Sequence, residues 1–372
     1  MTPYRFLHSS DLHLGKPFGR LPEGIRHRLR EARHGAIGRL AAAARSGGAV
    51  TILLAGDTFD AETPAPDTLR QALAAMREAS DLTWVLLPGN HDSLKASELW
   101  QRIATDGPAN LRALASDAPV ELAPEIWLLP APCTQRNAGR DLTEAMSAAT
   151  PAGARRIGLG HGAITDFSGE DGATGIIPPD RAQRSGLDYL ALGDWHGQMQ
   201  VSPTTWYSGT PEPDGFKHDA PGSALLVTLD GPVPQVAPVG VAGFRWLRPE
   251  IDLLPGEDAA NRIATALPPT GARDHLVRLT LKGRLPLAER AAVEAGLAHR
   301  APDFGWFATD LTGLAVEALP EDLDQIDHAG ALRQAAEALL AEAGDAGRSQ
   351  AERDTAASAL ARLYALTQEV RA

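Results

Sequence analysis

Along the first half of the chain, short unbroken apolar blocks alternate with longer stretches whose apolar positions recur every three or four residues. The blocks "YRFLHSS" (4–10), "AVTILLAGD" (49–57) and "LTWVLLPGNHD" (82–92) read as buried strands, each running into Gly, Asp, Asn or Ser. Between them, Glu23–Arg45, Asp67–Ala79 and the region around Ser97–Ile103 carry helical spacing. This alternation predicts an α/β fold, a layered sandwich of β-sheets flanked by helices. Shorter strands follow at "EIWLLPAP", "RRIGLGHG" and "LDYLALGDWHG". From about Thr204 the pattern turns to hairpins, at "TTWYSGT", "SALLVTLD" and "VPQVAPVG". "HLVRLTLKG" followed by "LAERAAVEAGLAHR" then predicts a strand–helix unit of a smaller α+β domain, with "DLLPGEDA" read as a loop leading into a helix. Beyond Leu323, Leu332, Ala336, Leu339 and Leu340 form one helical stripe, and Ala356, Leu360, Leu363 and Tyr364 a second, with a break at "AGDAGRS". The expected division is 1–240, 241–322 and a helical segment 323–372.

Composition narrows the class. With 372 residues, 44% of them hydrophobic, the chain can bury two cores. Its single cysteine, Cys133, excludes an intramolecular disulfide and a cysteine-based zinc site. The N-terminus has no basic-then-apolar leader pattern, and the apolar runs are strand-sized, too short for a bilayer. A cytoplasmic protein without membrane contact is expected. The formal net charge of −12 is unlike that of a passive nucleic-acid binder. It is compatible with a nuclease, where bound cations and a local basic patch offset the phosphates.

The chemistry gathers where the strands end. Five post-strand loops carry metal-ligating side chains: "DLH" (Asp11, His13), "GDTFD" (Asp57, Asp60), "GNHD" (Asn90, His91, Asp92), "GHG" (His161) and "GDWH" (Asp194, His196). Any one of them is an ordinary turn or cap. Five in succession at the carboxyl ends of strands, which share one edge of an α/β sheet, predict a common site. Mixed carboxylate, amide and imidazole ligands suit manganese, iron or zinc better than calcium.

The ordered set D-x-H, G-D-x-x-D, G-N-H-D, G-H and G-x-x-H resembles the calcineurin-like metallophosphoesterases over about Tyr4 to Phe216. Within them, "FLHSSDLHLG", "LLAGDTFD" and "LDYLALGDWHG" followed by "YSGTPEPDGF" are similar to the SbcD-like branch of DNA repair nuclease subunits. The resemblance implies two divalent cations, most simply Mn2+, with Mg2+, Fe2+ or Zn2+ as alternatives. One would take Asp11, His13, Asp57 and His196. The other would take Asp57 as a bridge, Asn90, His161 and a ligand from the "GDWH" loop. His91 would act as general acid, with Asp92 holding and charging it. Asp60 is read as a supporting residue and His8 as a packed strand residue. One departure stands out: where the family has G-H-x-H, this chain has Gly193-Asp194-Trp195-His196. A carboxylate at Asp194 favours a harder cation if it coordinates, and leaves the second cation weakly held if it stands back.

The expected activity is metal-dependent hydrolysis of DNA phosphodiester bonds. Seven arginines, Arg20, Arg26, Arg28, Arg30, Arg33, Arg39 and Arg45, make the first helix a candidate grip on a phosphate backbone, or equally a solvated face. Trp195 is a candidate base-stacking residue or simple packing. No P-loop occurs, so the SMC-like coiled-coil ATPase that the resemblance implies would be a separate partner, as would a second copy in a homodimer. A small nucleotide or lipid-linked phosphate as substrate, and a weakened catalyst serving as scaffold, are the competing readings.

Overall fold

The structure is a computed structural model describing residues 3–165, 176–217, 221–317 and 320–371. It divides into two compact units, Met1–Arg245 and Trp246–Ala372.

In the first unit, β1 (Tyr4–Ser9), α1 (Glu23–Ser46), β2 (Thr51–Leu54), α2 (Pro66–Glu78), β3 (Thr83–Leu86), α3 (Ser97–Asp106) and β4 (Leu111–Ala113) follow the alternation read from the sequence. Then come β5 (Val120–Ala123), β6 (Ile126–Ala131), β7 (Arg155–His161), the short α4 (Arg181–Arg184), β8 (Tyr189–Gly193), β9 (Met199–Ser202), β10 (Thr205–Tyr207), β11 (Ser223–Leu229) and β12 (Gln235–Gly240). One sheet runs β12-β11-β1-β2-β3-β4, the other β5-β6-β7-β8-β10-β9. Their centres are parallel, as is the edge pair β3–β4, while β11, β12, β5 and β9 join antiparallel. Phe6, Leu53 and Val85 of the first sheet pack on Leu128, Leu159 and Ala191 of the second. This buries two sheets face to face. The helices cover the outside of the first sheet, where Ile37, Leu40, Leu73, Met76 and Trp100 close a second core over Leu7, Ile52 and Trp84.

α1 shows why patterning alone misreads one position. Its buried face is Ile25, Leu29, Ala36, Ile37, Leu40, Ala41 and Ala44 at three- and four-residue spacing, and Arg33 lies within that face. A fully buried arginine inside an apolar stripe needs a partner, and its partner lies at the site described below.

The second unit contains β13 (Arg245–Leu247), β14 (Glu250–Leu253), α5 (Ala259–Ala266), β15 (His275–Pro286), α6 (Leu287–Arg300), β16 (Trp306–Glu317), α7 (Pro320–Ile326), α8 (Ala331–Gly344) and α9 (Gln350–Arg371). β15 and β16 pair in parallel, with α6 as the crossover. The region read as loop at "DLLPGEDA" is split: Asp252 and Leu253 complete β14, and Asp258 caps α5 by accepting from Asn261 N–H. α8 and α9 break where the sequence predicts and pack with α6 through Leu287, Ala291, Ala336, Leu360 and Ala361. Among the described residues no helix is long and apolar enough to cross a membrane.

Candidate metal centre

Each site residue follows the carboxyl end of a strand, and the loops are bound to each other before any side chain is considered. The loop after β1 continues pairing with the loop after β2: Asp11 N–H donates to Gly56 O at 3.1 Å, His13 N–H to Asp57 O at 2.9 Å and Leu14 N–H to Thr58 O at 2.9 Å. In return, Asp60 N–H donates to Leu14 O at 3.0 Å. This lattice fixes Asp11, His13 and Asp57 in left-handed backbone conformations, with φ of 56°, 44° and 53°; Asp194 joins them at 99°. Such conformations are unfavourable for residues other than glycine and persist when the surroundings over-determine them.

Two glycines explain the sequence signatures. A Cβ on Gly56 would lie 2.3 Å from His161 Nδ1, and its φ of +89° already selects glycine. A Cβ on Gly89 would lie 2.1 Å from Asp57 Oδ1. The "GD" and "GNHD" motifs thus bring backbone close enough for side chains from three strands to converge.

Three imidazoles point the same way. His161 Nδ1–H donates to Ala55 O at 2.8 Å. His13 Nδ1 lies 3.1 Å from Asp60 Oδ1, and His196 Nδ1 lies 3.3 Å from Asp214 Oδ2. A carbonyl or carboxylate can only accept, so in neutral His161 and His196 Nδ1 carries the proton and Nε2 presents its lone pair inward; at His13 the Asp60 carboxylate beside Nδ1 favours the same tautomer without forming a hydrogen bond. His13 Nε2 and His196 Nε2 are then only 3.1 Å apart. Two lone pairs at that distance repel unless a proton or a cation lies between them. Nitrogens bound about 2.1 Å from one cation at right-angled to tetrahedral geometry sit about 3.0–3.4 Å apart. The observed spacing fits that arrangement.

Carboxylates complete the hollow. Asp57 Oδ2 lies 3.6 Å from His13 Nε2 and 3.5 Å from His161 Nε2, between the two imidazoles. Asp11 Oδ1 is 4.0 Å from His196 Nε2. Asp11 is further held by the Ser10 hydroxyl at 2.5 Å and by Asp194 N–H at 3.2 Å. Asp194 Oδ1 lies 3.9 Å from His161 Nε2 and accepts from Asn90 Nδ2 at 3.2 Å. The Asp194 carboxylate therefore points into the hollow, at the position where the resemblance expects an imidazole. With its amide nitrogen engaged, Asn90 presents Oδ1, which is buried and makes no hydrogen bond to the described residues; the same holds for His161 Nε2. Buried acceptors left without donors, amid buried carboxylates, are the chemistry of a cation site. Among the described residues, Asp11, His13 and His196 form one group with ligand atoms within 4.8 Å of one another, and Asp11, Asp57 and His161 another.

The electrostatics follow the same plan. Burial pushes the Asp57 carboxyl up, but the His161, His13 and His91 imidazoles outweigh it and hold it below the ordinary carboxylate range. Burial, reinforced by Asp11 and Asp57, pushes Asp194 up to about 6. His13 is lowered by burial, which Asp60 and Asp57 only partly offset. Burial also penalises charged His161, yet the Asp57 carboxylate outweighs it and raises the imidazole well above its ordinary value, so that without a cation Nε2 takes a proton where a cation would otherwise sit.

His91 sits at the edge, its ring 4.8 Å from that of His13 and perpendicular to it. Its backbone N–H donates to Asp57 Oδ1 at 2.9 Å, and its Nδ1–H to Asp60 O at 2.9 Å. The sequence reading that Asp92 holds His91 is corrected here. Asp92 accepts from Phe59 N–H at 3.0 Å and Gly89 N–H at 2.7 Å, fastening the β2 loop to the β3 loop. Neighbouring residues of a tight turn point apart, so the orienting task falls to the Asp60 carbonyl. Burial and the Asp57 charge raise Asp92 to about 7.

Sequence reasoning assigned nothing to Asp214. It accepts from Lys16 Nζ at 2.5 Å, lies 3.6 Å from Arg33 Nη2 and holds His196. Arg33, whose Nη1 also donates to Leu12 O at 2.5 Å, is thus the buried cation behind His196. Arg39 of the same helix is paired with buried Glu212, while Arg45 pairs with Asp81 on the surface. Arg33 and Arg39 are therefore not a free grip on phosphates. Trp195 packs against the core beneath its loop, with Lys217 Nζ 5.3 Å from its ring centre. His8 is fully buried, bonded to Tyr189 and Leu192.

On the Asn90–His161–Asp194 side lies a cleft of about 540 Å³. Behind His196, on the Nδ1 side that faces Asp214, the space is only about 10 Å³.

Comparison with known proteins adds the following. The profile of the calcineurin-like phosphoesterases matches residues 4–198, more than half of the chain. The chain is 28% identical over 241 residues to the uncharacterized metallophosphoesterase YhaO of Bacillus subtilis (strain 168). That match covers 61% of this chain and 58% of the relative, so the chain spans little more than half the length of that protein. Among solved structures, TT1561 of Thermus thermophilus aligns with a TM-score of 0.42 and 12% identity over 64% of this chain and 99% of that one. The purple acid phosphatase PPD1 of yellow lupin (Lupinus luteus) aligns at 0.41 and 10% identity, over 61% and 49%.

Proposed function

The chain belongs to the calcineurin-like phosphoesterase family, and we propose that it is a two-metal phosphodiesterase that hydrolyses DNA. The observation carrying this reading is the placement of Asp57 Oδ2 between His13 Nε2 and His161 Nε2, 3.6 and 3.5 Å away, where one carboxylate would serve two neighbouring cations. Asp11, His13, Asp57 and His196 would hold one cation, and Asp57, Asn90, His161 and Asp194 the other. Bound there, two divalent cations supply Lewis acidity toward a phosphoryl group and an acidified water.

The chain's own residues do the rest. Asp60, Asp214 and the Ala55 carbonyl keep three imidazoles in the ligating tautomer. Asp92 clamps two loops and thereby the spacing between ligands. His91, with Nδ1–H committed to a carbonyl, has Nε2 as its remaining proton-carrying atom when charged. It is placed to give that proton to the leaving oxygen of a diester. A mixed O/N donor set with a third buried carboxylate at Asp194 favours manganese.

Digestion of linear DNA by the full chain with added manganese tests the proposal. Hydrolysis that chelation abolishes, and that Asp57→Asn and His91→Ala remove, is the expected result. Intact DNA alongside turnover of small phosphoesters would overturn the substrate, and no phosphoester turnover at all would overturn the catalyst. Assembly with a coiled-coil ATPase as an SbcD-like nuclease subunit belongs to the same proposal. It rests on the similarity of "FLHSSDLHLG" and "YSGTPEPDGF" to that branch, and co-purification with such a partner is its check.

A further inference from the structure

The cleft beside Asn90, His161 and Asp194 has a wall that the hydrolytic reading leaves unused. That wall is built by the segment between β6 and β7 together with the residues after β7. Its apolar part is Ala131 at the end of β6, Leu142, Ala163 and Ile177, and its rim carries Arg136 and Arg140 from the β6–β7 segment. Among the described residues that line the cleft on this side, the carboxylate is Asp141, and it is already paired: it is ion-paired with buried Arg181 and accepts from Thr143 N–H at 2.9 Å. The Arg140 guanidinium thus faces a hollow crowded with carboxylates across an apolar floor. The turn presenting the two arginines is ordered by its own amides. Gly139 N–H donates to Asn137 Oδ1 at 3.1 Å and Gln135 Nε2 to Asn137 O at 2.8 Å. Arg140 makes no hydrogen bond or ion pair with the described residues.

An apolar floor, a cationic rim and a phosphoryl-transfer centre at one end together describe a particular kind of ligand. It has a flat, weakly polar body with an anionic group at each end. A cleft of about 540 Å³ is of the size that takes one such molecule. Guanidinium groups bind phosphate through paired N–H donors, which suits them to the far end. We propose that this cleft is a nucleotide subsite, with the base and sugar of the residue next to the scissile phosphate on the apolar floor and the flanking phosphate at Arg140, beside Arg136. The proposal rests on the phosphodiesterase reading above and adds the element that selects nucleotides over other diesters. A free nucleotide and the end of a DNA strand present the same chemistry to it.

Equilibrium binding to the manganese-loaded full chain tests the subsite independently of turnover. Thymidine 3′,5′-bisphosphate should bind about tenfold more tightly than thymidine 5′-monophosphate, the increment of one charge-assisted phosphate contact. Arg140→Ala should erase that difference while leaving the monophosphate affinity within about twofold; Arg140→Lys should keep part of it, because a lysine offers charge without the fork. Equal affinities in the wild-type protein, or an equal loss for both ligands in Arg140→Ala, would overturn the subsite. A chain that digests DNA yet shows no bisphosphate preference defeats the subsite and leaves the reaction standing. A chain that digests nothing yet shows the Arg140-dependent preference does the reverse. Measured on the manganese-loaded His91→Ala chain, in which the diesters stay intact, a further gain with the trinucleotide pTpTpT assigns the subsite to strand ends, and no further gain assigns it to free nucleotides.

Discussion

The two halves of the hollow share Asp57 but are built on different principles. The Asp11–His13–His196 half is backed by charge: Asp60 behind His13, and Asp214 with Lys16 and Arg33 behind His196. The Asn90–His161–Asp194 half is backed by a neutral carbonyl at Ala55 and opens on the large cleft. A carboxylate behind an imidazole raises its basicity and fixes its ring, which favours tight retention of a cation. A carbonyl behind His161 and a carboxylate at Asp194, where the family pattern has an imidazole, leave the open half with one nitrogen ligand and otherwise oxygen donors. On the two-metal reading proposed above, the comparison teaches that one half would hold its cation tightly and the other would meet the substrate around a cation held less tightly.

The largest effect should come from the residue the halves share. Asp57→Asn removes the bridge. It should cost about ten-thousandfold in phosphodiester turnover, because phosphoryl polarisation and water acidification are each worth several kcal/mol. Metal content measured on the purified variant should fall below two per chain. Two retained cations with unchanged turnover would break the shared-ligand account. Next, His91→Ala should lower turnover of DNA about a hundred- to a thousandfold with metal content unchanged. The loss should shrink several-fold with a 4-nitrophenyl diester, whose leaving group needs no proton. An equal loss on both substrates would place His91 outside acid catalysis.

The asymmetry itself is sharpened by a pair of variants. Asp214→Asn should weaken the tighter of two manganese-binding steps by about ten- to a hundredfold, the usual consequence of removing a carboxylate behind a ligating histidine. Asp194→Asn should weaken the other step. Titration calorimetry of both variants separates the steps. If Asp214→Asn leaves the tighter step untouched, charge backing is not what distinguishes the halves.

How much of this was legible beforehand depended on distance along the chain. The layered fold and the five loops could be read because their causes are local. Gly56 and Gly89 must be glycine for Asp57 to sit between two histidines, and the apolar blocks before them are strands of the central sheets. The supporting residues could not be read, because their causes are distant. Arg33 looks like one more cation on a basic helix until Asp214 returns beside it from far along the chain. Asp92 misled by adjacency: next to His91 in sequence, its carboxylate serves Phe59 and Gly89 instead. In the second unit, β16 was missed because "TDLTG" interrupts its apolar alternation, and pairing along β15 carries it through.

The smallest effect concerns what keeps the two halves together. His8 on β1 lies beneath the loop bearing Asp11 and His13, and its Nε2–H donates at 3.2 Å to Leu192 O on β8, the strand leading to Asp194 and His196. Its Nδ1 accepts from Tyr189 Oη–H at 3.0 Å. The imidazole is therefore a neutral tie between the two sheets. Burial holds its pKa down at about 3, with the Leu192 hydrogen bond opposing only weakly. The unfolded chain takes up this proton below about pH 6.5, whereas the folded protein resists it until about pH 3. Between those values the unfolded state binds more protons, so acid favours unfolding. The stability His8 contributes is intact above pH 6.5 and is lost progressively as pH falls. At pH 5 the loss is about 2 kcal/mol. Raised Asp92 and Asp194 act the other way over this range, so the tie is read by difference. In urea unfolding of the metal-free protein at pH 7 and pH 5, His8→Asn, which keeps a neutral donor and acceptor, should be less stable at pH 7, and its change on acidification should be more favourable than the wild type's by that amount. An unchanged pH slope in His8→Asn would mean that the tie between the two halves is not the neutral imidazole.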